Sequence, residues 1–241
     1  MTAALSVVVP LKDEAENVGP LAREIVASIG ADNVELLFVD DGSADDTVAR
    51  LLDLKSEIPM LRIIRHSRNA GQSRALRSGV RAARAGIVVT LDGDGQNDPA
   101  DIAKVLAPFH TEGDAAPIGM VSGVRVRRRD SIAKRLASRL ANRFRRWMLD
   151  DDATDIGCGL KAFRRDAYLA LPYFDHMHRY LAALMQREGY AVRFVEVGHR
   201  RRMHGKSKYG VWDRLLVGVQ DVFGVLWLKK RFRAAGEVTE F

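Results

Sequence analysis

The stretch VVTLDGDGQNDP, residues 88–99, opens as a strand and closes as a cluster of oxygen ligands. Ile87 to Leu91 form a short β-branched apolar run of the kind that makes a buried strand. The run then breaks into Asp92, Gly93, Asp94, Gly95 and Gln96, with Asn97, Asp98 and Pro99 behind. Two carboxylates and an amide oxygen at alternate positions, spaced by glycines, suit a hard divalent cation that keeps coordination positions open for phosphate. A plain Gly/Asp turn uses the same residues. Turn and cation site are both open readings of these twelve residues alone.

Working outward, the preceding chain alternates strands with helices. LSVVVPL (5–11) reads as a strand buried on both faces, followed by a helix over about Ala15 to Ile29. VELLFVDDGS (34–43) is a second buried strand that ends in Asp40, Asp41 and a Gly turn, and Asp45 or Asp46 can cap the next helix. LRIIRH leads through Asn69 and Gly71 into a helix from about Gln72 to Ala85. This alternation predicts an α/β fold, a mostly parallel sheet with helices on both faces. Ligands in such sheets sit at the carboxyl ends of the strands. Three polar strand ends, Lys12 to Glu16, Asp40 to Ser43 and Asp92 to Gln96, are therefore expected on one rim.

The second half is more basic. VSGVRV (121–126) reads as a strand, and the densest cationic run follows from Arg125 to Arg146. Ile132, Leu136, Leu140, Phe144 and Met148 recur within it every four residues, so an amphipathic helix with basic flanks is expected over 130–149. Such a helix reads as a membrane-surface or phosphate-binding element, against the ordinary reading of a solvated surface helix. Thr154 to Tyr168 form a Gly-punctuated loop running into a short strand or helix. A helix (HMHRYLAALMQREGY), a strand (AVRFVEVGHRRR) and the polar tract HGKSKYG follow. From 211 to 230, Trp212, Leu215, Leu216, Val219, Val222, Phe223, Leu226 and Trp227 fall at helical spacing, with Lys229, Lys230, Arg231 and Arg233 behind them. Periodicity leaves a core helix and an interfacial helix equally open.

At 241 residues and 47% hydrophobic, the chain suffices for one large domain. We divide it into one α/β domain, 1–210, and a C-terminal amphipathic helix with basic tail, 211–241, packed on that domain or on a membrane surface. The formal charge of +7 points to an anionic partner. The single Cys158 excludes a disulfide framework. The N-terminus has no basic segment or small-residue cleavage site, and no run approaches the ~18 apolar residues of a membrane span. A cytoplasmic chain, or one lying on a membrane from the cytoplasmic side, is the expectation.

Seven motifs stand in a fixed order: SVVVPLKDEAENV, LLFVDDGSADDT, HSRNAGQSRALRSG, VVTLDGDGQNDP, DIGCGLKAFRR, MHRYLAALMQREGY and HRRRMHGKSKYG. Together they resemble glycosyltransferase family 2, in its polyprenyl-phosphate, dolichol-phosphate-mannose-synthase-like branch, from Leu5 to about Leu228. The resemblance implies a GT-A fold and metal-dependent, inverting transfer of a sugar from a nucleotide diphosphate sugar (GDP-mannose or a UDP-hexose) to a polyprenyl phosphate. It places Pro10, Lys12, Glu14, Val39, Asp41, Asp92, Gly93 and Arg125 along the nucleotide sugar. It gives Mg²⁺ or Mn²⁺ to Asp92, Asp94 and Gln96, and catalytic roles to Asp94, Asp155, Arg202 and Lys208, with Asp155 near the sugar. It puts Lys134, Ser138 and Arg139 at the lipid phosphate. One departure is visible: many relatives read His-Arg-Pro-Arg where this chain has His199-Arg200-Arg201-Arg202. Many relatives also append membrane spans after the Ser-Lys-Tyr loop. Here the helices 130–149 and 211–230 are expected to dock on an anionic bilayer, or a membrane-anchoring partner protein does that work.

Three rivals were weighed. A family-2 enzyme with a soluble or polysaccharide acceptor fits the motifs but not the basic 125–146 run or HGKSKYG. A nucleotidyltransferase making sugar nucleotides would need a basic Gly-rich loop where PLKDEAEN is acidic. A nucleic-acid-binding protein would explain the charge and leave the carboxylates unexplained, since acidic rims repel phosphate unless a metal intervenes. Aromatics are only 7% and are not interleaved with the basic run, which removes a stacking platform. No nucleic-acid partner is expected.

Overall fold

The structure is a computed structural model that describes residues 3–30, 33–110, 116–126, 145–202, 211–233 and Thr239, with side chains of the last helix from Gly218 onward. In chain order the elements are β1 (Leu5–Leu11), α1 (Val18–Ile29), β2 (Val34–Asp40), α2 (Thr47–Glu57), β3 (Leu61–Arg65), α3 (Gln72–Ala82) and β4 (Ile87–Thr90). Then come α4 (Ile102–Leu106), β5 (Ile118–Arg125), β6 (Lys161–Arg164), α5 (Arg165–Ala170), α6 (Leu181–Arg187), β7 (Ala191–Val197) and α7 (Val211–Arg231).

One seven-stranded sheet has the order β3-β2-β1-β4-β6-β5-β7. β1, β2, β3 and β4 pair in parallel, as do β5 and β7. β6 runs antiparallel between β4 and β5. This reversal matters for the site: an antiparallel strand begins at the rim where its parallel neighbours end. The loop feeding β6 therefore joins the carboxyl-end rim.

Alternate residues of the central strands face opposite sides, as the strand period of two requires. Val7, Val9, Leu36 and Phe38 pack in one core layer with Leu21 and Ile25 of α1 and Leu51 of α2. Val8, Leu37 and Val39 pack in the other with Leu76 and Val80 of α3 and Leu184 of α6. Both faces of β1 and β2 are thus covered, which is why their sequences are continuously apolar.

One expectation shifts. α1 starts at Val18 rather than near Ala15, because the preceding backbone is engaged elsewhere. The Glu14 N–H donates to Thr47 Oγ1 at 2.8 Å and the Ala15 N–H to Asp45 Oδ2 at 3.2 Å. Asp45 also caps α2, accepting from the Thr47 N–H at 3.0 Å, while Asp46, at the N-cap position, makes no side-chain cap. The helix expected over 130–149 lies largely outside the described residues; its end, 145–149, is helical.

α7 is both things its periodicity allowed. Val222 and Val225 are buried in the α3–α6 core layer, while Val219, Phe223 and Trp227 stay exposed on the outer side. Tyr180 donates through its hydroxyl to the Gly218 carbonyl at 3.1 Å, and Lys229 donates to the Leu149 carbonyl.

At the sheet edge opposite the rim sits a buried carboxylate, Glu35 of β2. It accepts from Ser6 Oγ at 2.6 Å, from Arg62 Nη1 and from the Arg84 N–H, tying β1, β3 and the α3–β4 turn together. Burial pushes its pKa up, but these hydrogen bonds outweigh burial and hold it below the ordinary 4.5. A lowered carboxylate pKa contributes stability that is present above the unfolded value and lost as pH falls through the folded one. Glu35→Gln should therefore cost about 1–3 kcal/mol at neutral pH, and urea melts of both proteins should converge at acid pH.

Candidate active site

The rim gathers what the strands deliver. β4 ends at Thr90, and the chain turns through Asp92 to Gln96. At Gly93 a Cβ would fall 2.4 Å from Leu11 Cδ2, so only glycine lets this turn close against the end of β1. The Asp92 N–H donates to Asn97 Oδ1 at 3.0 Å, which closes the turn from the other end. The Asp92 carboxylate lies against Gly159, where a Cβ would stand 2.3 Å from its Oδ2. Thr90 Oγ1 fixes that same loop by donating to the Gly159 carbonyl at 2.9 Å. The second glycine of DIGCG, Gly159, thus makes room for an acid 67 residues earlier in sequence (159 minus 92).

Asp92 and Asp94 are close enough to repel. Burial first, and then the negative charge of Asp94, push the Asp92 pKa up to about 6; Lys161, Arg125 and a hydrogen bond from Gln72 act in the opposite sense. Asp94 accepts from the Gln96 N–H at 3.1 Å and from Arg202 Nη2 at 2.5 Å. The Arg202 Nε is buried and has no hydrogen-bond partner among the described residues. A buried unpaired guanidinium N–H calls for an anion. Gln96 is tied to the end of β7: its carbonyl accepts from the Arg200 N–H at 2.9 Å, and its Nε2 lies 3.4 Å from His199 Nε2.

No group of three or more His, Cys, Asp or Glu side chains is placed to hold a metal ion among the described residues. The rim offers two crowded carboxylates and an amide. That donor set fits Mg²⁺ or Mn²⁺ only as a cation sharing its coordination with substrate phosphate and water. The like-charge strain on Asp92 fits it as well, since a cation between the two acids would remove it.

Arg125, at the end of β5, and Asp155 meet as a two-pronged ion pair. Nε and Nη2 each donate at 2.7 Å to separate oxygens, and the Arg125 N–H adds a third contact at 3.2 Å. Both oxygens of Asp155 are thus occupied by a cation, an arrangement for positioning rather than for taking a proton. Behind them Lys161 is buried and donates to the Cys158 carbonyl; burial lowers its pKa against the opposing charges of Asp92 and Asp155.

On the β1–β2 side, two loops are stitched together. Lys12 donates to the Gly42 carbonyl, the Asp13 N–H donates to Ser43 Oγ at 2.8 Å, and Asp13 Oδ1 accepts from the Ala44 N–H at 2.7 Å. Glu14 accepts from Asn17 Nδ2 at 2.6 Å. Asp41 is buried and braces the β3–α3 loop: it accepts from the Ala70 N–H at 2.9 Å and the Gly71 N–H at 2.8 Å, and pairs with His66 at 2.7 Å. One expectation needs correction. The Val39 side chain is fully buried in the core, so it cannot line a base or ribose; only its backbone borders the cleft. Pro10, half-buried, sits beside it in register.

The structure therefore brings Asp92, Asp94, Gln96, Arg125, Asp155 and Arg202 to one rim, with Pro10, Lys12, Glu14 and Asp41 at the adjoining strand ends. Lys208 and the lipid-phosphate candidates Lys134, Ser138 and Arg139 lie outside the described residues. Sequence reasoning missed Gln72, whose Nε2 donates to Asp92 Oδ1 at 2.9 Å. It lies inside a quoted motif, but an amide beside a helix start carries no chemical flag of its own.

With this geometry in place, comparison with known proteins is informative. The family model for glycosyl transferase family 2 matches residues 6–171. A dodecaprenyl-phosphate galacturonate synthase from Rhizobium johnstonii is 32% identical over 232 residues, 94% of this chain and 67% of that protein. An undecaprenyl-phosphate 4-deoxy-4-formamido-L-arabinose transferase from Aeromonas hydrophila is 31% identical over 86% of this chain and 63% of its own length. The chain thus spans about two thirds of the curated relatives it matches. Among solved structures, glucosyl-3-phosphoglycerate synthase from Mycobacterium tuberculosis superposes with a TM-score of 0.70 at 20% identity, covering 97% of this chain and 82% of that one. A mannosyltransferase from Pyrobaculum calidifontis, in complex with GDP-Man and Mn²⁺, gives 0.70 at 22%, covering 97% and 66%. These likenesses establish the GT-A fold that the sheet order and rim already described. A sheet of this order, an acidic turn at the end of β4 and a family match over most of the chain lead to one statement: the chain belongs to glycosyl transferase family 2.

Proposed function

We propose that this protein transfers a sugar, with inversion, from a nucleotide diphosphate sugar to a polyprenyl phosphate. The observation that carries the proposal is the Asp92–Asp94 pair at the end of β4, faced by Arg202, which pairs with Asp94 and keeps a buried Nε–H with no partner among the described residues. Crowded acids opposite a cation with one N–H still to place suit a bound diphosphate with its counter-ion. The named functions of the Rhizobium and Aeromonas relatives, both acting on a polyprenyl phosphate, support the acceptor.

In this reading Asp92, Asp94 and the Gln96 side-chain oxygen hold Mg²⁺ or Mn²⁺. When bound, the cation neutralises charge on the departing nucleoside diphosphate. Pro10, Lys12, Glu14, Asp41 and the backbone at Val39 border the nucleotide. Arg202, released from Asp94, turns its donors to the diphosphate, joined by Lys208. Arg125 holds Asp155 in one orientation, so that Asp155 positions sugar hydroxyls rather than abstracting a proton. The acceptor phosphate is already an anion at neutral pH, so attack from the face opposite the leaving group needs no strong general base. Lys134, Ser138 and Arg139 are proposed to receive that phosphate.

A lipid acceptor requires access to a membrane, and no helix among the described residues is long and apolar enough to cross one. We place the chain instead at an anionic membrane surface, held by the C-terminal element 211–241 or by an anchoring partner protein. Phe223 and Trp227 are 53% and 59% exposed on one side of α7, and Trp147, 77% exposed, follows the exposed Arg146. Lys230, Arg231 and Arg233 are exposed beyond Trp227. Aromatic side chains with flanking cations suit a helix lying in a lipid interface, and each cation near such a surface contributes about 1 kcal/mol.

Incubation with Mg²⁺, undecaprenyl phosphate and a panel of UDP- and GDP-sugars should yield a glycolipid detectable by mass; no product across the panel would overturn the proposal. Asp94→Ala should lower kcat by about 10²–10³-fold while leaving the melting temperature near that of the parent. In flotation with anionic vesicles at low salt, the parent protein should rise with the lipid, and Phe223→Ser with Trp227→Ser should weaken that partition at least about tenfold. Absence of binding by the parent would exclude direct docking.

A further inference from the structure

The two acids at the end of β4 are held in different ways. Asp94 is held by the charged Arg202. Asp92 is held by a neutral donor, Gln72, the first residue of α3. A cationic partner competes with an arriving cation for the same carboxylate. A neutral amide does not, and it can stay in place when the cation binds.

The remaining contacts fix Asp92 further. Its backbone N–H is taken by Asn97 Oδ1, and its carboxylate packs against Gly159. Gln72 is itself placed by a braced loop. The Gly71 N–H, one residue earlier, donates to Asp41 Oδ2 at 2.8 Å, and Asn69 Oδ1 lies 3.0 Å from the same N–H. His66, which pairs with Asp41, also reaches Ser78 Oγ at 2.9 Å in the body of α3. Two hydrogen bonds to adjacent residues thus tie the acid after β2 and the acid after β4 to the start of α3: Asp41 through the Gly71 N–H and Asp92 through the Gln72 amide.

We infer that Gln72 is a positioning residue: it fixes the Asp92 carboxylate as a preset ligand and links it to the nucleotide-side acid Asp41. The inference rests on reading Asp92 and Asp94 as the cation ligands. Partners that orient a ligand in this way commonly change metal affinity by 10–100-fold when removed. Their loss appears first in the metal requirement, because the ligand itself remains.

The test is a Mn²⁺ titration followed by the EPR signal of free Mn²⁺, with saturating UDP or GDP, on the parent, Gln72→Leu and Gln72→Met. Leu and Met keep the bulk and remove the donor, and melting temperatures report whether each variant is folded. The expected result is about tenfold weaker Mn²⁺ binding in both variants. The Mn²⁺ concentration for half-maximal turnover should rise with it, while the rate at saturating Mn²⁺ changes much less. Parental Mn²⁺ affinity in either folded variant would overturn the positioning role and leave the proposed function standing. Failure of the parent to bind Mn²⁺ with either nucleotide would overturn the cation-ligand reading itself, and this inference with it.

Discussion

Two carboxylates that repel one another, Asp92 and Asp94, are the constraint around which the rim is built. Without a cation between them, burial and mutual charge push Asp92 up to about 6. The fold tolerates this because each acid has a donor and a wall. Gln72 and Asn97 hold Asp92, Gly159 gives its carboxylate space, and Arg202 neutralises Asp94. Those four come from α3, the β4–α4 connection, the loop before β6 and the loop after β7. The antiparallel insertion of β6 places one of them: a parallel strand there would carry its entry loop to the opposite edge.

Half of this was legible in the sequence. Buried parallel strands announce themselves as unbroken apolar runs, and polar residues at their ends follow from where strand and loop meet. Asp40, Asp41, Asp92 and Asp94 could therefore be placed on one rim before any coordinates. Long-range pairings could not be read so. Arg125 and Asp155 were both singled out, yet nothing in their spacing says that they form a two-pronged pair. Gln72 was invisible for the same reason, since its significance lies in a partner twenty residues on (92 minus 72). Val39 shows the opposite error: it stands two residues before the site acid Asp41, yet its side chain is fully buried in the core. The last helix could not be assigned to core or interface because its periodicity satisfies both, and the structure uses Val222 and Val225 for one and Phe223 and Trp227 for the other.

The division of labour between fold and specificity follows from these contacts. The donor side is built from strand ends and short, hydrogen-bonded loops, a rigid frame of the kind that presents a metal and a diphosphate in fixed geometry. The fold is common to proteins only 20–22% identical to this one, so it says little about the acceptor. The proposed polyprenyl-phosphate acceptor is supported by the named functions of relatives at 31–32% identity, and the proposed membrane docking by the exposed aromatics of α7. An acceptor that arrives charged leaves the protein little proton chemistry to do, in keeping with an Asp155 already committed to Arg125.

If the two acids form only part of a coordination shell, the diphosphate must complete it. Mn²⁺ affinity of the unmodified protein, measured by EPR with and without a nucleoside diphosphate, tests that directly. The account predicts weak binding alone and at least about tenfold tighter binding once the matching diphosphate is present, since its phosphate oxygens supply the missing ligands. Equal affinity in both conditions would contradict it and would mean that the protein builds a complete metal site of its own.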